Sequence, residues 1–373
     1  MTIRPMGSAL PVNGSPRPPR KMWPAAGREP KIRVMKPLSV WRGARDEISP
    51  LRPRKIPFPG SAGFVRRLLT TVVLLLAGSP LLPGQGQNQM LVWAPMPVQP
   101  NAWIAPNKPL TRLAELRAKH ASEPNWTETV VSDNLFHADY ISLAPGGQTP
   151  RRFHPDNRAW WIVQDGQIRF TIEGQEPFVA SKGFLVQVPH RLTYRMETVG
   201  DQPSLRLEVT IANAHTMYPL DETPAPVAGV TYIKARVATV KGSYDKANVP
   251  FIDYNQTVAG TAKPKQNQNQ FIGDAHGIAN IIRGDPRKQA PARDEDLGHL
   301  HVTGPEFWFI LEGQMEFKIG ALPALVAVQG DIVYAPANTW HRVRFAGTAM
   351  ATRLAVVGYA NSHVFPPTAD SRD

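Results

Sequence analysis

One stretch of the chain occurs twice, and this repeat constrains the fold more than any other feature of the sequence. Trp161–Ile172 reads W-I-V-Q-D-G-Q-I-R-F-T-I, and Trp308–Ile319 reads W-F-I-L-E-G-Q-M-E-F-K-I. Each copy begins with tryptophan, turns at an acidic residue followed by Gly-Gln, and then alternates apolar with polar residues. Such alternation predicts a β-strand that is buried on one face. The chain therefore contains an internal duplication.

The two copies keep the same register over a longer stretch. Three pairs of turn residues are each separated by 147 residues, namely Gly166 and Gly313, Gly183 and Gly330, and Pro189 and Pro336. One residue is then added, after which Ala212–His215 corresponds to Ala360–His363. Each copy consists of short apolar segments separated by Gly, Pro and Asn, without a long helical pattern. This favours a closed antiparallel barrel such as a jelly roll.

A short helix and several connecting segments surround the copies. Leu110, Leu113 and Leu116 recur at helical spacing, which predicts one helix packed on the first barrel. The connection between the copies contains a candidate strand at Val227–Val240 and an exposed run at Pro264–Gln270. We expect an N-terminal arm at 87–126, a first barrel at 127–215, a linker at 216–270, a second barrel at 271–365 and a tail at 366–373.

The net charge of +12 is confined to the beginning of the chain. Residues 1–67 hold 15 of the 42 Lys and Arg and 3 of the 30 Asp and Glu, and the remainder has 27 of each sign. A neutral folded part has no basic patch, so we expect no nucleic-acid partner. Residues 1–64 also hold 12 of the 38 prolines and show no apolar periodicity. They are expected to be a disordered basic leader, or to lie before a misassigned start.

An apolar run follows this leader. Leu68–Ala77, preceded by Arg66 and Arg67, resembles the core of a secretory signal peptide, because it is far shorter than the roughly 20 residues that span a bilayer. A signal at 65–86 predicts export to the periplasm or the extracellular space without a stable membrane anchor. An internal apolar segment of a cytosolic protein is the alternative. The chain has no cysteine, which excludes disulfides, thiol catalysis and cysteine-based zinc sites.

Four potential metal ligands stand at characteristic positions in the second copy. His299 and His301 are two residues apart, Glu306 follows, and His341 comes after a turn that contains Gly and Pro. Residues two apart on a strand point to the same side, so both early histidines are expected to face the barrel interior. Three imidazoles and one carboxylate that converge there form a site for a divalent transition metal.

This spacing resembles the two conserved motifs of the cupin superfamily, H-x-H-x4-E-x6-G and G-x5-P-x-G-x2-H, at 299–313 and 330–341. The departures are Asn338, where the family has Gly, and Phe345, where the second motif would end in Asn. Asn tolerates the left-handed backbone that Gly provides, and Phe345 replaces no ligand. The resemblance implies an all-β protein, with two tandem cupin-type double-stranded β-helix (jelly-roll) barrels and a short N-terminal helix. Such a bicupin would keep an intact metal site only in its second barrel.

The first copy lacks most of these ligands. The positions 147 residues before the four ligands hold Arg152, His154, Ala159 and Tyr194. One imidazole does not hold a transition metal tightly, so the first barrel is expected to be metal-free. Arg152, His154 and Tyr194 either line a pocket for an anionic ligand or serve the packing of the barrel.

Neighbours of the ligands indicate the walls of a pocket. Strand positions of the same parity as Glu306 and His341 are expected to face inward, and the turn before His341 lies at the barrel mouth. An aromatic and aliphatic lining favours a small, partly apolar substrate, while plain barrel packing is the alternative for the strand residues. The pocket candidates are Trp308, Ile310, Asn338, Trp340, Val343 and Phe345.

Two classes of function remain. The first is a metal-dependent enzyme, in which Glu306 is both a ligand and a catalytic residue, and in which the ion binds substrate or oxygen. Resemblance to two-barrel cupins implies a dioxygenase, a decarboxylase or an isomerase. A dioxygenase-like oxidoreductase is favoured because no dedicated general base is evident. The second class is a non-catalytic protein that binds a small ligand or sugar. Fe or Mn is the favoured ion, Ni, Cu, Zn and Co are alternatives, and a homodimer is compatible with the duplication.

Overall fold

The computed structural model describes residues 90–99, 101–224, 226–246, 248–258, 270–293, 295–359 and 362–367. The predicted leader at 1–64, the signal at 65–86, the exposed run before Gln270 and the end of the tail lie outside the described residues. All described residues belong to the compact unit Gly84–Asp373. Across these described ranges, no helix has the length and apolar character that crossing a membrane requires.

Short strands with alternating burial make up most of the first half. In Gln167–Ile172, for example, the apolar residues are buried and the polar residues between them are exposed, as expected for a strand with one solvated face. The elements up to residue 258 are, in chain order, β1 (Leu110–Thr111), α1 (Leu113–Lys119), β2 (Trp126–Ser132), β3 (Phe136–Leu143), β4 (Ala159–Asp165), β5 (Gln167–Ile172), β6 (Phe178–Ser181), β7 (Phe184–Val188), β8 (Tyr194–Val199), β9 (Ser204–Ile211), β10 (Phe251–Asp253) and α2 (Tyr254–Val258).

The first barrel consists of two facing antiparallel sheets. Its large sheet has the order β10-β7-β4-β9-β3-β2, and its small sheet has the order β6-β5-β8. Side chains from both sheets meet in a closed apolar core that includes Trp161, Phe170 and Tyr194. The barrel is therefore filled by its own side chains.

The second barrel repeats this arrangement. Its large sheet has the order β1-β17-β14-β19-β12-β11, its small sheet has the order β16-β15-β18, and β13 pairs with β20. Two tandem jelly-roll barrels, as predicted from the repeat, are thus confirmed. Its elements are β11 (Gln270–Gly273), β12 (Gly277–Gly284), a 3-10 turn (Pro286–Lys288), β13 (Leu300–His301), β14 (Glu306–Glu312), β15 (Gln314–Ile319), β16 (Leu325–Val328), β17 (Ile332–Ala335), β18 (His341–Ala346), β19 (Ala351–Gly358) and β20 (His363–Val364).

The two large sheets pack against each other through their outer faces. Alternate residues of β4 divide between two cores: Trp161 lies inside the first barrel, and Trp160 lies in the core that the barrels share. The ring of Trp160 meets that of Phe271 from the second barrel, with 5.9 Å between centroids. Because both faces of each large sheet are buried, these central strands read as nearly continuous apolar runs.

The N-terminal arm joins the second barrel. Strand β1 pairs with β17, so Leu110 belongs to a strand and the helix begins at Leu113. The backbone N–H of Leu113 donates to Asp331 Oδ1 of the second barrel at 3.1 Å, while Arg117 pairs with Asp165 of the first. The helix was expected to pack on the first barrel, and it contacts both barrels.

The segment between the barrels also differs from the expectation. Residues 227–240 form no strand, because their side chains are mostly exposed and have no sheet to join. Instead β10 forms further along and pairs with β7 of the first barrel. Each large sheet thus ends in a strand from outside its own repeat: β1 for the second barrel and β10 for the first.

Candidate metal centre

Four side chains from three parts of the second barrel converge on its interior. His301 lies on β13, Glu306 begins β14 and His341 begins β18. His299 is placed by two backbone hydrogen bonds with His341, at 3.0 and 2.9 Å. The preceding residue, Gly298, has a φ of +75° and leaves no room for a side chain, because a Cβ would lie 2.0 Å from the carbonyl oxygen of His341.

The turn that precedes His341 has the predicted character. Asn338 has a φ of +58°, the left-handed region where the superfamily motif has Gly. Its backbone N–H donates to the carbonyl of His301 at 2.7 Å, and its Nδ2 donates to the carbonyl of Val302 at 2.9 Å. Asn338 thus ties the strand of His341 to the strand of His301.

The ligand atoms of His299, His301, Glu306 and His341 all lie within 4.8 Å of one another. Glu306 Oε2 is 2.9 Å from His301 Nε2, 3.0 Å from His341 Nε2 and 3.6 Å from His299 Nε2. His301, Glu306 and His341 are buried, whereas the His299 side chain is 24% exposed. The cluster is therefore enclosed on most sides and accessible at His299.

Backbone carbonyls fix the tautomers of two imidazoles. His341 Nδ1 lies 2.9 Å from the carbonyl of Thr339, and His301 Nδ1 lies 3.3 Å from that of Ser362. A carbonyl only accepts, so each Nδ1 donates, and each neutral ring presents a lone pair on Nε2 toward the cluster. This arrangement is typical of histidines that bind a metal.

The cluster carries a negative charge and its ligand atoms lie close together, as binding of a cation requires. Burial raises the pKa of a carboxyl, yet the three imidazoles hold the pKa of Glu306 well below its usual range, so Glu306 is ionised at neutral pH. Burial lowers the pKa of His299 and favours its neutral form. The Nε2 atoms of His341 and His299 are only 3.1 Å apart and both face the carboxylate. Three imidazole nitrogens and a carboxylate oxygen this close together match the donor set of a transition metal.

The predicted pocket residues lie in different settings. Trp308 and Ile310 are buried in the core of the second barrel, and the Trp308 ring is 5.1 Å from that of His341. Val343 and Phe345 are half-buried against the same core. Trp340 is also half-buried and directly precedes His341.

Two side chains near the ligands were not predicted from the sequence. Strand β20 pairs with β13, which brings the ring of His363 to 4.5 Å from His301 and 4.7 Å from His299. Burial and the two neighbouring imidazoles lower the pKa of His363 to about 4. Phe365 lies 5.7 Å from the ring of His299. The match of Ala360–His363 to Ala212–His215 was the available signal, but it did not indicate that β20 returns to the site.

A third missed residue is Arg353, on β19. Its neighbours on the same face, Ala351 and Ala355, belong to the interior core, so Arg353 also faces the inside of the second barrel. Its guanidinium lies 5.6 Å from the ring centre of Phe345, and the charge of Glu306 acts on it. A cation inside an apolar barrel is unusual and calls for a partner.

The corresponding residues of the first barrel form no metal site. The hydroxyl of Tyr194 lies 3.1 Å from Arg152 Nε and 2.9 Å from His154 Nε2, and Ala159 provides no ligand. Burial lowers the pKa of His154, which favours the neutral ring. In the first barrel, three of the four positions that correspond to the metal ligands are thus occupied by side chains that hydrogen-bond to one another.

A carboxylate from the first barrel itself, that of Glu208, completes this network. Glu208 accepts from Arg152 Nη2 at 2.9 Å and from Trp161 Nε1 at 2.8 Å, and it lies 3.5 Å from Arg206 Nε. Both arginines therefore share one carboxylate, and Nε and Nη1 of Arg206 are buried without a hydrogen-bond partner among the described residues. The sequence left two interpretations of Arg152, His154 and Tyr194. Their hydrogen bonds to one another and to Glu208 favour packing of the barrel over a pocket for an external anion.

This network predicts a loss of stability in acid. Burial would raise the pKa of Glu208, but Arg152 and Arg206 lower it from 4.5 to about 2 in the folded protein. A carboxyl with a lowered folded pKa stabilises above its unfolded pKa, and this stabilisation disappears as the pH falls toward the folded value. We expect the free energy of unfolding, measured in urea, to fall between about pH 4.5 and about pH 2. Glu208→Gln should flatten this dependence, and an unchanged slope would contradict the assignment.

Comparisons with known proteins agree with this architecture. The cupin domain family model matches residues 139–211 and 289–358, one region in each barrel. The salicylate 1,2-dioxygenase of Pseudaminobacter salicylatoxidans is 14% identical with a TM-score of 0.50, over 71% of this chain and 87% of that chain. At this identity the likeness concerns the fold.

Two other solved structures are more distant. The oxalate decarboxylase of Bacillus subtilis is 14% identical with a TM-score of 0.38, over 64% of this chain and 74% of that chain. A cupin 2 conserved barrel domain protein from Leptotrichia buccalis is 11% identical with a TM-score of 0.41, over 62% and 88%. No curated protein gives a significant match. The chain is therefore a two-barrel protein with one cupin domain region in each barrel and the ligand cluster in the second.

Proposed function

We propose that this bicupin is an exported, metal-dependent enzyme that acts on a small organic molecule, with a dioxygenase-like reaction favoured over decarboxylation or isomerisation. The observation that carries the proposal is the convergence of three imidazoles and Glu306 within 4.8 Å, enclosed except at His299. A bound Fe or Mn ion would supply Lewis-acid or redox chemistry at its open positions. Export rests on the sequence from Val65 to Ala77 alone, which lies outside the described residues.

The choice of reaction rests on which proton-transfer groups surround the cluster. Decarboxylases and isomerases usually need a general acid or base. Along the described strands of the second barrel, the inward positions hold no lysine, no aspartate and no glutamate other than Glu306. Glu312, at the end of β14, has a side chain that is 33% exposed and accepts from Tyr254 Oη at 2.7 Å, on the side facing the first barrel. His363, with a pKa of about 4, is a weak base.

The residues of the chain have separable tasks in this proposal. Glu306 and the three histidines hold the ion, and the carbonyl partners of His301 and His341 keep their Nε2 atoms directed at it. Trp308 and Ile310 exclude water from the inner side. The opening at His299 is where a substrate would enter.

The test combines metal analysis with turnover. Elemental analysis of the native protein should find about one equivalent of Fe or Mn, and a protein containing only Zn, which has no redox chemistry, would weaken the oxidative proposal. Oxygen uptake and substrate loss are then measured over a panel of phenolic and small carboxylic acids. Glu306→Gln should abolish activity, whereas Glu316→Gln, which changes a half-exposed residue on the outer face of β15, should not. Ligand binding without turnover would instead indicate the non-catalytic alternative.

A further inference from the structure

After its last long strand, the chain returns to the metal centre in a short segment, residues 362–367, which we call the C-terminal strap. Within this strap, β20 pairs with β13 over two residues, which places His363 opposite His301. The carbonyl of Ser362 lies 3.3 Å from His301 Nδ1 and so orients this ligand. The strap is therefore fastened to the strand that carries one of the four ligands.

Two rings of the C-terminal strap stand beside the one ligand that solvent reaches. The His299 side chain is 24% exposed, whereas the other three ligands are buried. The ring of His363 lies 4.7 Å and that of Phe365 lies 5.7 Å from the ring of His299. The two strap rings also stack on each other, with 6.3 Å between centroids. A molecule that approaches the cluster on the side of His299 therefore meets these rings.

The first barrel has a similar segment, residues 215–222, which we call the first strap. Phe153 and Met217 exchange two backbone hydrogen bonds, each of 2.9 Å. His154 Nδ1 lies 3.0 Å from the carbonyl of His215. Each barrel is thus bordered by a strap that pairs with a strand and orients a histidine through a carbonyl.

The first strap has further contacts that hold it in place. Arg151 pairs with Asp221, and its Nε lies 3.5 Å from Glu222 Oε1. The ring of Tyr218 packs edge-on against that of Tyr232, with 5.7 Å between centroids. Ion pairs and a ring contact therefore add to the backbone pairing of the first strap.

The C-terminal strap lacks such contacts. Residues 362–367 include no Lys, Arg, Asp or Glu, and none of their side chains belongs to the apolar cores formed by the described residues. Phe365 is 42% exposed. Segments with few buried apolar contacts open locally at a low cost in free energy. The strap beside the ligand cluster is thus the one that opens more readily.

We propose that the C-terminal strap is a gate to the metal centre, and that Phe365 sets the size of the molecule admitted at His299. The inference rests on the proposed function and describes how access to that site is controlled. While the strap is paired, Phe365 and His363 narrow the entrance. When β20 separates from β13, the entrance widens and the carbonyl of Ser362 leaves His301. Access to the site and the orientation of a ligand then change together.

The test compares the removal of iron by two chelators of different size. Protein loaded with Fe(II) is mixed with bipyridine or with the bulkier bathophenanthroline disulfonate, and formation of the coloured iron complex gives the rate. Phe365→Ala should accelerate removal by roughly twofold to tenfold, because a ring contact that holds the strap is lost. The acceleration should be larger for the bulkier chelator. Phe365→Tyr keeps the ring and should keep the wild-type rates, and Met217→Ala in the first strap should change neither rate.

The comparison of chelators separates a gate from a merely structural role. If Phe365→Ala only weakened metal binding, release of the ion would limit both reactions, and both chelators would be accelerated equally. Equal acceleration, or none, would therefore overturn the role of Phe365 in selecting by size. Circular dichroism identifies any variant that fails to fold.

A second measurement does not depend on bound metal. Hydrogen–deuterium exchange, followed by mass spectrometry on the metal-free and metal-loaded protein, compares the backbone amides of residues 362–365 with those of 215–222. Protection should be lower in the C-terminal strap, because opening exposes its amides. Equal protection of both straps would overturn the gate. A protein that takes up no metal, yet has a poorly protected C-terminal strap, would overturn the metal-dependent enzyme and leave the opening of the strap established.

Discussion

Replacing His301 with alanine is expected to strip the bound metal from the protein. His301 is 2% exposed, and its Nε2 lies 2.9 Å from Glu306 Oε2 at the centre of the cluster. Changes to groups that only orient a ligand cost about 10–100-fold in metal affinity, so loss of a ligand itself should cost roughly a hundredfold or more. Elemental analysis after dialysis against a buffered metal solution measures the change.

The duplication offers a matched control for this experiment. His154 occupies the position of His301 in the first barrel, is likewise buried, and hydrogen-bonds to Tyr194 instead of a ligand cluster. His154→Ala should therefore retain the full metal content. Equal metal loss in both variants, or none in His301→Ala, would show that the metal is not held by the second barrel's cluster.

Removal of Glu208 is expected to give the largest loss of stability in the first barrel. Glu208→Ala leaves Arg152 and Arg206 facing each other, and Arg206 is 2% exposed. Breaking a buried ion pair from one side costs about 3–5 kcal/mol, because the remaining charge stays desolvated. Urea unfolding of the metal-loaded protein, followed by circular dichroism, measures the shift in midpoint.

Two further variants show whether charge is the cause. Adding Arg206→Met to Glu208→Ala should recover part of the lost free energy, since an uncompensated charge is removed. Glu197→Ala breaks an exposed ion pair with Arg169, at 2.7 Å, and should cost less than about 1 kcal/mol. If Glu208→Ala is no worse than Glu197→Ala, the internal network is not a source of stability.

The repeat and the ligand spacing allowed the barrels and the cluster to be predicted from sequence. Strand parity is a local property, so the alternation after Trp308 indicated which side chains share a face with Glu306. The placement of Trp308 and Ile310 in the interior core follows that parity. The left-handed backbone of Asn338 was likewise predictable from a single substitution in a motif.

Features that depend on distant pairing could not be predicted. His363 reaches the cluster only because β20 pairs with β13, and nothing local to the strand indicates that partner. The pairing of β1 with β17 joins residues that are far apart in the chain. The aligned copies show Ala355 in the second barrel where the first has Glu208. Only the structure shows that the arginines beside these positions, Arg206 and Arg353, face the barrel interiors.

The pairing of β1 with β17 also sets an order of events during synthesis on the ribosome. Leu110 emerges long before Val333, its partner in the finished sheet. At about 5–20 residues per second, the interval is roughly 10 to 45 seconds. Throughout that time Leu113 and Leu116 are without the second-barrel residues of the core that they share. The first barrel has its own strands from β2 to β9 by then, whereas the second can close its sheet only after nearly the whole chain has been translated.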